Sequence, residues 1–421
     1  MQLGPGSESL SRAAQRRLDT FRPTRHARGP RWSARLVAAL RTVAIALVVV
    51  LVSTASVTAL FVWQLGSTVT ENAVDISNGD TTVIVPPPTI GEFEGGFNIL
   101  AVGADNAEDQ PEAFGARGAT LNDVNILVHV AADHKTAVVL SLPRDLVIAQ
   151  PKCTDPVTGD TFSAVSARPL NEAYQRGGLG CVNATVEALT GLDIPYAALF
   201  TFQGTVAMSD AVGGVPICLD AAIFDPYSGL DLQEGISVVS GQQALAYLRT
   251  RKGVGDGGDL SRISSQQAYM SSMMRVMKSS ETLTDVTKVV GLANAAVNNV
   301  SLSTSLADLN TMVSMALSLK DVDLNALTFV TYPSVTDPNN VNKLVPATTL
   351  AADLMTMIAT DQSFALDDAA LGNGVALDPN APVVETPTAE PTEGVVTGPE
   401  VLAGVRGQTA DQQTCSIASG F

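Results

Sequence analysis

From Thr42 to Leu65 the chain reads TVAIALVVVLVSTASVTALFVWQL, 24 residues without an ionisable side chain. Such a run is long enough to cross a hydrocarbon core of about 30 Å, and in lipid a helix satisfies its own backbone polar groups. The expectation is a single membrane span. Before it stand Arg12, Arg16, Arg17, Arg22, Arg25, Arg28, Arg31, Arg35 and Arg41 against only Glu8 and Asp19, an excess that marks the cytoplasmic side. Taking these nine bases from 25 and two acids from 42 leaves 16 bases and 40 acids beyond the span, a formal charge of −24. A body so anionic disfavours nucleic acid as a partner. A cleaved signal peptide over residues 36–65 is the competing reading. It would have a shorter apolar region and a small-residue cleavage site, which Ala55-Ser56-Val57-Thr58-Ala59 fits only when stretched. An uncleaved anchor, with Trp63 at its outer interface, is therefore expected.

All four cysteines, Cys153, Cys181, Cys218 and Cys415, follow the span, where disulfides persist. Four cysteines allow three connectivities, of which Cys153–Cys181 with Cys218–Cys415 is favoured because the first pair brackets one loop-rich segment. A zinc site is disfavoured: there is no CxxC pair, and beyond the span only His129 and His134 remain, both read as ordinary surface histidines. Residues 1–36 read as a basic, disordered cytoplasmic tail and 37–65 as the transmembrane anchor. Residues 66–95 form an extracytoplasmic stem stiffened by Pro86-Pro87-Pro88. A folded domain spans 96–366, and 367–421 is a Pro/Thr/Glu-rich linker ending in a tail that Cys415 clips back.

Phe97–Val102, Val124–Val130 and Ala137–Leu142 are apolar runs, the last two joined by the polar turn Ala132-Asp133-His134-Lys135, which predicts an antiparallel hairpin. With the first and third strands running the same way, Asp105, Asp123 and Arg144-Asp145 emerge at one sheet edge. Ligands of open α/β sheets bind at such an edge. A second constellation is Tyr247-Leu248-Arg249-Thr250-Arg251 followed by Asp259-x-x-Arg262-x-x-x-Gln266. An extended Leu248–Arg251 points Arg249 and Arg251 the same way, and a following helix puts Asp259, Arg262 and Gln266 on one face. Converging guanidinium forks beside two carboxylates point to a metal-bound pyrophosphate, with Gly253–Gly258 as a mobile loop over it. Surface ion pairs near turns are the bland reading of the same residues.

Phe97-Asn98-Ile99-Leu100-Ala101-Val102-Gly103-Ala104-Asp105, Asn122-Asp123, Ser141-Leu142-Pro143-Arg144-Asp145, Leu170-Asn171-Glu172-Ala173-Tyr174 with Gly177-Gly178, Val212-Gly213-Gly214-Val215, and Arg249-x-Arg251…Asp259-x-x-Arg262…Gln266 resemble, in order, the motifs of the LytR-CpsA-Psr family. The resemblance covers residues 96–275 and extends towards 366. It implies an α/β fold with a central mixed β-sheet flanked by helices, behind one transmembrane helix. It also implies a phosphotransferase that moves a glycopolymer from a polyprenyl-pyrophosphate carrier to a peptidoglycan hydroxyl with Mg²⁺. Carried over by position, Asp105 and Asp123 would hold Mg²⁺. Arg144, Arg249, Arg251 and Arg262 would clamp the pyrophosphate, assisted by Asp259, Gln266 and Asn171. Asp105 and Asp145 are the two carboxylates available to take the acceptor proton. The chain departs from the family pattern at Leu121, where an arginine is common and for which Arg117 is the candidate to reach in instead, and at Ser265. The first departure keeps two alternatives open, a non-catalytic binder of lipid-linked glycans and a polyprenyl-pyrophosphate hydrolase. A transcriptional regulator, a role sometimes attached to the family by name, is disfavoured by the anionic exterior.

Overall fold

Val, Ile and Leu alternating with smaller or polar residues make strands of the three runs read above, because branched side chains pack well on a pleated surface. The computed structural model describes residues 39–49, 53, 73–78, 93–105, 120–278, 299–381 and 399–419. In chain order the strands of its two main sheets are β1 (Phe97–Ala104), β2 (Asn122–Val130), β3 (Ala137–Ser141), β4 (Tyr196–Phe200), β5 (Val215–Leu219), β6 (Gly235–Val239), β7 (Val300–Leu302), β8 (Leu327–Thr331), β9 (Val375–Leu377), β10 (Gly407–Thr409) and β11 (Thr414–Ser416). The helices that matter here are α1 (Tyr174–Thr190), α2 (Phe202–Val212), α3 (Gly241–Arg249), α4 (Asp259–Lys278), α5 (Leu309–Asp321) and α6 (Thr348–Ala359).

The central sheet has seven strands in the order β7-β4-β1-β2-β3-β8-β10. It is mixed: β1–β4 and β3–β8 are parallel, and β2 runs against both β1 and β3. The hairpin and the common direction of the first and third strands are therefore as the sequence predicts. One face of the sheet packs Leu100, Val102, Leu127 and Leu140 against Leu179, Val182 and Val186 of α1 and Leu354 and Ile358 of α6. The other packs Phe97, Val139, Tyr196 and Phe329 against Met315 of α5 and Met270 and Met274 of α4. A smaller sheet, β6-β5-β11-β9, closes a third core with Ala244, Ala246 and Tyr247 of α3 and Tyr269 of α4.

Helix α4 packs against strands of both sheets, and residues 261–269 are buried without interruption although most are polar. Burying such groups costs stability unless each finds a hydrogen-bond partner. Gln266 Nε2 donates to Leu248 O (2.8 Å), Gln267 Nε2 to Thr331 Oγ1 (3.2 Å), Ser271 Oγ to Ala410 O (3.0 Å) and Ser272 Oγ to Pro216 O (2.5 Å). The helix thus stitches four parts of the chain together.

Several boundaries differ from the sequence reading. The folded body does not stop at residue 366, since β9, β10 and β11 complete the two sheets and Glu400–Leu402 pairs with Phe364–Leu366. Part of the presumed stem is docked as well: Val74 bridges Ser303, and the Phe93 ring lies edge-on to Phe97 and Tyr196. The Pro86–Pro88 segment, residues 1–38 and most of 42–65 lie outside the described residues, as do 382–398 of the expected linker. Residues 39–49 form a helix with exposed apolar side chains, and among the described residues no helix is long and apolar enough to cross a membrane. Gly253–Gly258 is pinned rather than loose, with Gly255 N–H donating to Ile417 O (2.8 Å) and Ser419 N–H to Gly253 O (3.0 Å). Gly255 has φ +51°, and a Cβ there would meet Ser261 Oγ at 2.5 Å, so glycine is required.

Both favoured disulfides are present, Cys153–Cys181 and Cys218–Cys415, and the described residues hold no free cysteine. Gly177 makes room for the first, since a Cβ would come within 3.2 Å of Cys153 Cβ. The bridges span 28 and 197 residues. Chain entropy alone assigns them about 3.6 and about 5.3 kcal/mol. The C218S/C415S variant is expected to melt at a lower temperature than C153S/C181S, as differential scanning calorimetry would read.

His129 is buried rather than at the surface. Its Nδ1 lies 2.8 Å from Asn98 Oδ1 and its Nε2 2.9 Å from Asp361 Oδ1, a partner 232 residues away. Burial pulls its pKa below 6.5 against the opposing pull of Asp361. Between the lowered value and 6.5 the unfolded chain binds more protons, so stability rises with pH through that window and is lost below it. Urea unfolding from pH 5 to 7 should show this slope, flattened in H129N. An equal slope in the variant would assign the titration elsewhere.

Candidate active site

The parallel run of β1 and β3 brings Asp105, Asp123 and Arg144-Asp145 to one edge. Register places Gly103 opposite Val124 and Ala104 opposite Asn122, so Asp123 is the extra residue of a β-bulge, a device that re-aims a side chain. Asp105 is buried, and its Oδ1 accepts from Leu121 N–H (2.9 Å). Leu121, which departs from the family pattern, thus holds Asp105 through its backbone; Arg117 lies outside the described residues. The start of β2 is locked to α1 by Asn122, whose Nδ2 donates to Asn125 Oδ1 (2.7 Å) and whose Oδ1 accepts from Tyr174 N–H (3.1 Å). Asn171 N–H donates to Arg144 O (3.0 Å), so the Asn171 motif supports the backbone under Arg144.

Arginines from just beyond the end of β3, the loop after α3 and the first turn of α4 converge here on one carboxylate. Arg262 Nη2 lies 2.7 Å from Asp259 Oδ1, with Arg144 Nε at 3.4 Å and Arg251 Nε at 4.0 Å from the same oxygen. Arg144 Nη1 also donates to Asp123 Oδ1 (2.7 Å), and Arg262 Nη2 to Asp123 O (3.1 Å). Lys343, on the hairpin Ser334–Asp337/Asn340–Pro346, puts its Nζ 2.6 Å from Asp145 Oδ1. The contacts are close but misaligned: neither Asp259 oxygen accepts a well-directed hydrogen bond, and the buried Nε–H groups of Arg144, Arg251 and Arg262 have no acceptor among the described residues. Burial pulls the Arg262 pKa down, with Arg144 and Arg251 adding to Arg262's fall and Asp259 and Asp123 opposing it. For Arg144 burial acts downward too, but Asp123, Asp259 and Asp145 outweigh it and hold the value above the ordinary one. A small pocket between these groups is lined by Asp123, Asn125, Ser141, Arg144, Asp259 and Arg262.

The extended reading of Leu248–Arg251 is corrected. Arg249 is the last residue of α3, and the chain leaves the helix at Thr250, so the two arginines are not strand neighbours on one face. Arg249 Cζ lies 4.4 Å over the Phe202 ring, a cation–π contact, while Arg251 reaches towards Asp259. Gln266 supports the end of α3 through Leu248 O, and Ser265, the other departure, lies buried beside Ser416 of β11. Sequence reasoning quoted Asn122 only within a motif, without its locking role, and missed Lys343 and Asn125. Asn125 carried a signal, being a polar position among the apolar residues of β2, whereas Lys343 carried none.

Asp105 and Asp123 are hard oxygen donors near the adjoining ends of β1 and β2. One or two carboxylates, completed by phosphate oxygens and water, is the usual protein contribution to a Mg²⁺ site. The donor set fits that ion. Among the described residues the three-residue grouping close enough to hold a metal is instead Cys218, Asp378 and Cys415, whose sulfurs are joined in the second disulfide.

A model of the LytR_cpsA_psr family matches residues 60–359, most of the chain. The chain belongs to the LytR-CpsA-Psr family. Relatives include cell wall biosynthesis protein LcpA of Corynebacterium glutamicum, 29% identical over 272 residues, a match covering 57% of this chain and 50% of that protein. The polyisoprenyl-teichoic acid–peptidoglycan teichoic acid transferase TagT of Bacillus subtilis is 26% identical over 278 residues, 64% of this chain and 79% of its own length. The chain thus spans about half the length of the first and more of the second. Protein gbs0355 from Streptococcus agalactiae has the same fold, with TM-score 0.50 at 20% identity over 63% of this chain and 88% of its own.

Within this family member, Asp259 holds three cations with one carboxylate in a buried setting. Removing one partner of a buried pair leaves an uncompensated charge, at a cost of about 3–5 kcal/mol. D259A is expected to lose stability on that scale in guanidinium denaturation.

Proposed function

We propose that the protein transfers a glycopolymer from a polyprenyl-pyrophosphate carrier to a hydroxyl of peptidoglycan, outside a membrane in which residues 42–65 anchor it. One observation carries this reading: Arg144, Arg251 and Arg262 gather on a single carboxylate with their Nε–H donors unspent. A diphosphate supplies the missing acceptors, because guanidinium forks match its oxygens and charge-assisted bonds are the strong ones. The name of the Bacillus relative, a teichoic acid transferase acting from a polyisoprenyl carrier, supports the same chemistry.

In this reading the acceptor oxygen attacks the sugar-linked phosphorus, the bond to the polyprenyl phosphate breaks, and polyprenyl monophosphate departs. Phosphoryl transfer is accelerated mainly by positioning and charge stabilisation, and these residues offer both. Arg144, Arg251 and Arg262 bind the diphosphate and stabilise charge building on the leaving group. Arg249, two residues before Arg251 and stacked on Phe202, would extend the clamp. Asp259 and Gln266 fix the directions of the arginines and of the end of α3, and Asn171 supports Arg144 from below. Asp105 and Asp123 would hold Mg²⁺, which when bound neutralises the diphosphate charge. Of the two carboxylates available to take the acceptor proton, Asp145 is the poorer, because its oxygens already face Lys343 and Arg144.

Arg251 offers the cleanest test, since its side chain is 39% exposed and its loss need not disturb the core. With a short-chain polyprenyl-pyrophosphate disaccharide, peptidoglycan fragments and Mg²⁺, wild-type protein should release polyprenyl monophosphate and form the linked product. R251A should lose that turnover with an unchanged melting midpoint. Monophosphate without linked product would make the protein a hydrolase, and binding without either product would make it a scaffold.

A further inference from the structure

Asp145 sits between two cations. Its Oδ1 is 2.6 Å from Lys343 Nζ, whereas its Oδ2 is 3.5 Å from Arg144 Nε, a looser contact. The hairpin that carries Lys343 is fastened to this point, with Leu344 N–H donating to Asp145 O (3.1 Å) and a bridge joining Leu344 to Leu146. Lys343 is thus delivered to Asp145 by backbone pairing and not by a wandering side chain. Arg144 meanwhile keeps its short bond for Asp123 (2.7 Å) and faces the pocket. Arg144 and Asp145 already meet at 3.5 Å, so a closer pairing needs only a small movement of the carboxylate. A carboxylate that engages a guanidinium fork removes it from other anions.

We propose that Lys343 is a positioning residue of this site: by holding Asp145 Oδ1 it keeps that carboxylate from closing on Arg144 and so leaves Arg144 available to a phosphate. The inference rests on the diphosphate reading above and adds to it a residue outside the arginine and aspartate motifs. It acts through competition. With Lys343 present, Asp145 is satisfied at 2.6 Å and only braces Arg144; without it, the same carboxylate becomes an internal rival of the substrate.

Competition of this kind has a signature that loss of a mere structural contact lacks: removing the rival repairs the defect. The test uses the full chain and two readouts, calorimetric binding of inorganic pyrophosphate with Mg²⁺ and monophosphate release from the disaccharide probe. A charge-assisted contact of this kind shifts binding by about tenfold or more. K343M is expected to weaken pyrophosphate binding by about that factor and to raise KM more than it lowers kcat. K343R, which retains a cation at Asp145, should stay close to wild type. D145N in the K343M background should recover most of the binding, since the amide no longer competes for Arg144 as a charge.

K343M binding as wild type, or a K343M/D145N double variant as weak as K343M, would overturn the proposal. A K343M protein with a lowered melting midpoint is judged by the rescue alone, because D145N cannot repair a broken hairpin. Wild-type protein that binds pyrophosphate with this pattern but turns over no probe would sink the transferase reading and leave the Lys343 role standing. Turnover unaffected by K343M would do the reverse, and no pyrophosphate binding by wild type would remove both.

Discussion

The whole site depends on a helix that is polar and buried at once. Residues 261–269 of α4 are enclosed on every side, and their hydroxyl, amide and guanidinium groups must be matched by partners or the helix would not stay there. Gln266 and Gln267 find theirs in α3 at Leu248 and in β8 at Thr331, and just beyond them Ser271 and Ser272 reach Ala410 of the C-terminal segment and Pro216 of β5. Because each demands a fixed position of the helix, the first turn of α4 is held against the strand ends with little freedom. Asp259 and Arg262, one turn apart, inherit that rigidity and meet Arg144 and Asp123 where β2 and β3 reach the sheet edge.

Stability alone does not explain such a cluster. Desolvating ionised groups costs several kcal/mol each, and well-packed apolar replacements of buried ion pairs are often at least as stable. Three guanidinium groups around one carboxylate are worse than a simple pair, since the like charges repel one another while sharing a single counter-ion. The arrangement is intelligible as the resting form of an anion site. Asp123, Asp145 and Asp259 divide the cations among themselves, and in the proposed function a ligand with several anionic oxygens would take their place. Under the Lys343 proposal, the bulge at Asp123 and the lysine at Asp145 would serve one end, which is to keep Arg144 engaged but not captured.

What could be read from the sequence follows from how local the information is. Strand alternation and the turn at Ala132–Lys135 fix the relative directions of β1, β2 and β3, and those directions alone gather Asp105, Asp123 and Arg144. The spacing of Asp259, Arg262 and Gln266 likewise announces a helix face. Leu248–Arg251 defeated the same reasoning, because so short a run of alternating apolar or β-branched residues and arginines suits a strand as well as the last turn of a helix. The end of the domain was misplaced for a related reason: β9, β10 and β11 are three residues each, too short to show a period, and Cys415 was the one mark that the tail returns. His129 looked exposed because its partner Asp361 lies 232 residues further on, and Lys343 was invisible because nothing in the neighbourhood of a lone lysine names a distant aspartate.

The sign of the site is opposite to that of the body that carries it. Beyond the apolar segment the chain bears 16 bases and 40 acids, yet Arg144, Arg251, Arg262 and Lys343 outnumber the three aspartates they touch. At distances beyond a Debye length, about 8 Å at physiological salt, the anionic body gives no attraction to a free diphosphate and close contact decides binding. A site so arranged gains little from steering and much from confinement. Under the proposed function, a diphosphate tethered by a lipid in the plane of the membrane would arrive already concentrated, and a protein anchored in the same plane would meet it without needing a cationic surface to draw it in.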